Sequence, residues 1–157
     1  MFLPFKDKTN NTRMKHKGCI VDFSIQRNRE LMRAYRSVLS KKSHFDFKND
    51  YSEVVNHPCS RFWVSEERAT VVVSALLKGH YALDSMHPLK REMFLEIFKR
   101  FMAIYEDNPS RSIPDIVFEV VNSPAPKFYM TPRTAMMYIY SIKKNHHPKR
   151  NIPFYRT

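Results

Sequence analysis

Two triplets in this chain place a cation beside two aromatic rings: Arg61-Phe62-Trp63 and Lys127-Phe128-Tyr129. That residue mix contacts phosphates through the cation and stacks unpaired bases on the rings. A plainer account gives Phe62 and Phe128 to the core, with nearby Pro and Asn residues fixing a bend. The retained charge and aromatic character at Arg61/Lys127 and Trp63/Tyr129 make these four the candidate contacts within the folded region.

Other chemistry is thin. His16 and Cys19 with His57 and Cys59 offer four potential zinc ligands, but HxxC and HxC match no strong zinc spacing. No Ser/His/Asp arrangement is indicated, and scattered carboxylates sit beside bases, where an ion pair is the ordinary account. His146-His147 reads as merely polar. The chain has two glycines in 157 residues, which excludes Walker and dinucleotide glycine loops. The expectation is a non-enzymatic protein with no cofactor and no bound metal.

The elements that position the triplets are written twice. Residues 53–69 (EVVNHPCSRFWVSEERA) and 119–135 (EVVNSPAPKFYMTPRTA) align without a gap at an offset of 66, with seven of 17 positions identical. Chance would supply about one identity at residue frequencies of roughly 6%, so the chain reads as an internal duplication. The second copy replaces His57 and Cys59 with Ser123 and Ala125, which weakens the zinc reading further.

Apolar spacing predicts a helix over about 24–40, with Asp22 or Ser24 as N-cap. A short helix over 47–56 follows, ended by Pro58. The segment HPCSRFWV reads as an extended link, and Ser65 caps a helix over 66–79 that ends near Gly79. The second copy repeats the plan: a helix over 88–106 opened by Pro88, a short helix over 114–122, the link SPAPKFYM, and a helix over 132–144 capped by Thr131.

The predicted architecture is mostly α: two tandem trihelical, helix-turn-helix-like repeat units, 21–83 and 84–145, between a basic N-terminal arm, 1–20, and a basic C-terminal tail, 146–157. The outline resembles proteins that grip DNA with paired trihelical repeats. The link from Asn56 to Ser65 is about twice as long as the usual turn of that motif. The 66–79 helix, with its Val71-Val72-Val73 and Ala75-Leu76-Leu77 runs, reads as apolar nearly all round, which favours burial over base reading.

Charge completes the sequence reading. The chain carries 27 Lys+Arg against 15 Asp+Glu, a formal +12. Residues 1–20 hold an excess of four positive charges and residues 143–157 an excess of five, leaving three for 21–142. Basic arms on a balanced globule point to nucleic acid, DNA rather than RNA, bound through phosphate contacts. The candidate binding residues are Lys15, Lys17, Arg61, Trp63, Lys127, Tyr129, Arg133, Lys143, Lys144, Lys149 and Arg150. Arg27, Arg29, Arg33 and Arg36 crowd one helix, where the plainer reading is a solvated face with Glu30 offsetting Arg33.

The alternative function is a structural or accessory component of a virion or nucleoprotein particle, its arms meeting protein neighbours. No apolar run approaches the roughly 20 residues of a membrane span, and no membrane partner is expected. The N-terminus turns polar after five residues, so the expected setting is a reducing cytoplasm with free thiols, or the interior of such a particle.

Overall fold

A computed structural model describes the backbone from Lys8 to His146 and the side chains from Phe23 to Asn145. The described residues form six α-helices and no named strand: α1 Lys8–Ser40, α2 Phe47–Val55, α3 Glu66–Leu77, α4 Pro88–Asp107, α5 Ile113–Val121 and α6 Pro132–His146. The mostly α class expected from composition is what the chain adopts. No described helix is long and apolar enough to cross a membrane.

The helix ends follow from local chemistry. Ser65 accepts from Arg68 N at 3.2 Å and Thr131 from Thr134 N at 3.2 Å, each side-chain oxygen satisfying an otherwise orphaned donor of the first turn. Pro88 opens α4 behind His87, whose Nδ1 accepts from Leu89 N at 3.3 Å. After α3, Gly79 N donates to Leu76 O and His80 N to Ala75 O, both at 3.0 Å. This 5→2 and 6→1 pair needs a left-handed residue, and Gly79 supplies it at φ 77°.

One boundary departs from expectation. Neither Asp22 nor Ser24 caps α1, which runs unbroken from Lys8. Nothing in Lys8–Ser24 breaks a helix strongly: Gly18 is the sole glycine there and no proline interrupts the run, so two possible cap residues are a weak stop signal. The expected N-terminal arm therefore overlaps α1. Likewise α6 continues to His146, into the segment expected to be tail.

Packing also differs from two self-contained trihelical units. Among the described residues α1 packs against α2 and α6, while α3 packs against α4 and α5; α1 with α3, and α4 with α6, make no comparable contact. Each third helix thus completes the other copy's pair. The first lobe is α1, α2 and α6, and the second is α4, α5 and α3.

The links between α2 and α3 and between α5 and α6 cross at the centre, and their contacts come in pairs at the offset of 66. Cys59 and Ala125 form an antiparallel bridge. Phe62 N donates to Val121 O at 3.0 Å and Phe128 N to Val55 O at 2.9 Å. Phe62 stacks on Tyr129 at 6.0 Å and Trp63 on Phe128 at 6.2 Å. Equivalent residues exchanging equivalent contacts describe a local twofold relation.

Burial follows the same offset beyond the window of sequence identity. Leu31 and Ile97, Tyr35 and Phe101, Tyr51 and Val117, and Val73 and Ile139 are buried pairs outside it; Val54/Val120, Phe62/Phe128 and Ala69/Ala135 are buried pairs inside it. Phe62 and Phe128, at 0% and 2% exposure, are the core anchors predicted from the repeated link. Each such ring stabilises the fold by roughly 1.5–3 kcal/mol through burial alone.

Candidate nucleic-acid interface

The link triplets are turned inward. Arg61 donates to Phe62 O at 3.1 Å and Val64 O at 2.9 Å, pairs with Glu66 at 3.7 Å, and lies over the Phe23 ring at 5.1 Å. Lys127 pairs with Glu92 and sits 5.4 Å from the Tyr129 ring. Trp63 also meets Phe23 edge-on at 5.6 Å, and its Nε1 is buried without a hydrogen-bond partner among the described residues. Tyr129 sits at φ 54°, and burial pushes its phenol up to about 12. These four half-buried side chains sit at the centre of the fold, engaged with Phe23, Phe62, Phe128, Glu66 and Glu92.

Cation-aromatic adjacency is equally good at covering a core edge, and these contacts are of that kind. Sequence reading misses Arg100 as a member of this centre. It lies 5.0 Å over Phe62 and donates to Pro124 O at 2.6 Å and Ser123 Oγ at 3.1 Å, while pairing with Glu96 at 2.9 Å.

Cys59 is a free, buried cysteine whose Sγ donates to Lys127 O at 3.2 Å, and burial pushes its thiol up to about 12. A metal ligand must be a thiolate, and this environment opposes that form. His16 and Cys19 lie outside the residues whose side chains are described. Among the described residues no three His, Cys, Asp or Glu side chains converge on a possible ion.

Three further candidates, Arg133, Lys143 and Lys144, belong to the first lobe. Arg133 and Lys144 are exposed on α6, and Lys143, also exposed, donates to Tyr35 Oη at 2.7 Å with its ammonium 4.3 Å from that ring. Lys15 and Lys17 lie within α1, their side chains outside the described set; Lys149 and Arg150 lie outside it altogether.

The arginine row of α1 is freer than expected. Glu30 does not offset Arg33: its two oxygens accept from Ser60 N at 2.7 Å and Ser60 Oγ at 2.6 Å, tying α1 to the first link. A backbone amide and a hydroxyl held at hydrogen-bond distance outcompete a solvated i,i+3 pair, which contributes only a few tenths of a kcal/mol. Arg27 is occupied, lying 4.2 Å over Tyr138 of α6. Arg29, Arg33 and Arg36 are exposed, form no ion pair with a described residue, and line an open groove of about 560 Å³. Ile25, Asn28 and Met32 of α1 and Ile142 and Asn145 of α6 complete it.

The exchange of third helices partitions charge. From Phe23 through α2, together with α6, the first lobe carries Arg27, Arg29, Arg33, Arg36, Lys41, Lys42, Lys48, Arg133, Lys143 and Lys144 against Glu30, Asp46, Asp50 and Glu53, an excess of six. Residues 66–121 of the second carry seven bases against nine acids, an excess of two negative charges. Helix α6 contains no carboxylate at all, so placing it on α1 concentrates the cations on one side of the molecule.

The second lobe pairs several of its own charges, Arg111 meeting Asp115 at 3.0 Å and Glu119 at 2.8 Å. It also exposes Val71 on α3 and Phe118 on α5, each 59% accessible. Val71 corrects the reading of α3 as apolar all round and therefore buried: its Glu67, Arg68 and Val71 face outward. Compared with known proteins, the chain matches no family, no curated protein and no solved structure.

Proposed function

We propose that this protein binds nucleic acid, DNA in the first instance, through phosphate contacts from its first lobe and the basic segments at either end, and that it acts by binding rather than catalysis. The observation that carries this reading is the row Arg29, Arg33 and Arg36, exposed and without acidic partners among the described residues, beside the cation-rich helix α6. About two helical turns of exposed guanidinium groups beside a carboxylate-free helix form a field that attracts polyanions. Arg133, Lys143 and Lys144 extend it, with Lys15, Lys17, Lys149 and Arg150 as further contacts. Arg61, Trp63, Lys127 and Tyr129 fall to the fold rather than to the ligand. The architecture behind this reading is a tandem duplication of a trihelical unit whose third helices have changed partners.

Fluorescence anisotropy with a labelled duplex at several salt concentrations tests it. Affinity is expected to fall with salt at a slope of about −0.9 per neutralised phosphate, and replacing Arg29, Arg33 and Arg36 by Ala together should reduce that slope by up to about three such contacts. Removing 146–157 should flatten it further while leaving the helical content intact. Absence of binding at low salt, where attraction is strongest, sinks the proposal.

A second reading rests on Val71 and Phe118, which are exposed on packed helices of the acidic lobe. Apolar side chains rimmed by charge suit a protein neighbour, as in a component of a virion or nucleoprotein particle or of a cytoplasmic assembly. That reading expects weak affinity for free nucleic acid and loss of a co-purifying protein partner when Val71 and Phe118 become Ser.

A further inference from the structure

A cavity of about 490 Å³ lies where the start of α2 meets the start of α6, lined by Phe47, Lys48, Tyr51, Pro132, Arg133 and Met136. Its walls are apolar or aromatic except for two cations, and it contains no carboxylate. Its size falls within the roughly 300–1,000 Å³ of small-ligand sites. Phe47 is 60% exposed at the mouth while its ring meets Tyr51 edge-on at 5.1 Å, which braces it from behind. Lys48 and Arg133 are exposed and make no ion pair with a described residue.

The local twofold relation supplies an internal comparison. Shifting each lining position by 66 gives Ile113, Pro114, Val117, Glu66, Glu67 and Thr70 of the second lobe. The same backbone arrangement there has an aliphatic residue for Phe47, proline for Lys48 and a carboxylate for Arg133. A cavity kept only for packing would not need a ring and two cations in one copy alone. The difference is one of ligand chemistry: a flat apolar face with anion contacts on its rim.

We infer that this cavity receives an unpaired base of a single-stranded nucleic acid, stacked on Phe47, with the adjoining phosphates on Lys48 and Arg133. The inference rests on the nucleic-acid reading above and narrows it to single strands. A base inside a duplex is paired and stacked and cannot enter a cavity of this shape, whereas a single strand can splay one out. Along α6, Met137 and Tyr140 are 61% and 70% exposed. They lie between this cavity and the arginine groove, which Asn145 reaches about 18 Å from Arg133 along the helix axis. A strand leaving the cavity therefore passes a second free ring before it reaches Arg29, Arg33 and Arg36.

The test measures anisotropy of the full chain with labelled 20-mers of about the same composition: single-stranded DNA, single-stranded RNA and duplex DNA. Single strands are expected to bind about tenfold or more tightly than duplex at equal salt. Phe47→Ala should weaken single-strand binding about tenfold with duplex binding unchanged, and Phe47→Trp should restore it. Phe118→Ala, which removes an equally exposed ring from the acidic lobe, should change nothing. The pair Lys48→Glu and Arg133→Glu leaves the core untouched and should weaken single strands more than tenfold and by more than it weakens duplex, and that difference keeps the test decisive if Phe47→Ala unfolds. Equal affinity for duplex and single strands, or a Glu-pair loss that is the same for both, overturns this inference while leaving the nucleic-acid reading standing. No binding of any probe overturns both.

Discussion

Cys59 and Ala125, 66 positions apart, donate to each other's carbonyl oxygens at 3.0 and 2.9 Å. A residue bonding reciprocally to its own offset-66 counterpart puts the local twofold between the two. The two links therefore form one structure, and each lobe is held by the other's third helix.

Residues 21–83 expressed alone should not form a folded monomer, because α3 would lack α4 and α5 while α1 and α2 would lack α6. Circular dichroism and sedimentation should show either a poorly helical chain or a dimer that restores the exchange. A stable, fully helical monomer would contradict the exchanged packing.

Phe62→Ala and Phe128→Ala should each cost about 3–5 kcal/mol in denaturant melts, through lost burial and the cavity left behind. Because both rings sit where the lobes join, each variant should melt in a single transition. Losses below about 1 kcal/mol would show that these rings are not anchors.

Asp50 is solvent-inaccessible under a thin cover near the surface, where Lys42 contacts its Oδ1 and Asp46 N donates to Oδ2 at 2.5 Å. The Lys42 ammonium holds this carboxyl below its ordinary 3.8, and the ion pairs with Asp50 and Glu53 hold Lys42 above its ordinary 10.5. A depressed carboxyl stabilises the fold above its unfolded value and loses that contribution as acid protonates it in the folded state. A raised ammonium stabilises below its unfolded value and loses it as base strips the proton. Stability from this pair should be full between those limits. Asp50→Asn should lower the melting temperature at neutral pH and shrink the loss on going from pH 5 to pH 3; an unchanged acid limb would show that Asp50 is not linked to folding.

Cys59 should react with iodoacetamide at pH 8 far more slowly than a free thiol, since burial disfavours the thiolate. Unfolding in denaturant should restore the ordinary rate. Rapid labelling in native buffer would mean that the crossing of the links opens readily.

Residues that act locally are legible in the sequence. Ser65, Thr131, Pro88 and Gly79 set helix ends through bonds to neighbours a few positions away, and the repeated Phe62 and Phe128 announce their burial because an apolar ring kept twice is an anchor. The surroundings of the link cations are not legible, for the opposite reason. Whether Arg61 meets solvent or a backbone carbonyl depends on Phe62 O, Val64 O and the Phe23 ring, and sequence adjacency does not report that geometry.

From sequence alone come the mostly α class, the likeness of 53–69 to 119–135 and the excess of basic residues, since composition, periodicity and identity are properties of the chain itself. The tertiary structure alone decides which helices α6 joins. Had it stayed with α4 and α5, Arg133, Lys143 and Lys144 would lie among the acids of that lobe; on α1 and α2 they lie beside Arg29, Arg33, Arg36 and Lys48. Both partnerships bury similar apolar faces at offset-equivalent positions, so hydrophobic pattern is nearly indifferent between them. The crossing of the links chooses, and with it the side of the molecule that carries the charge.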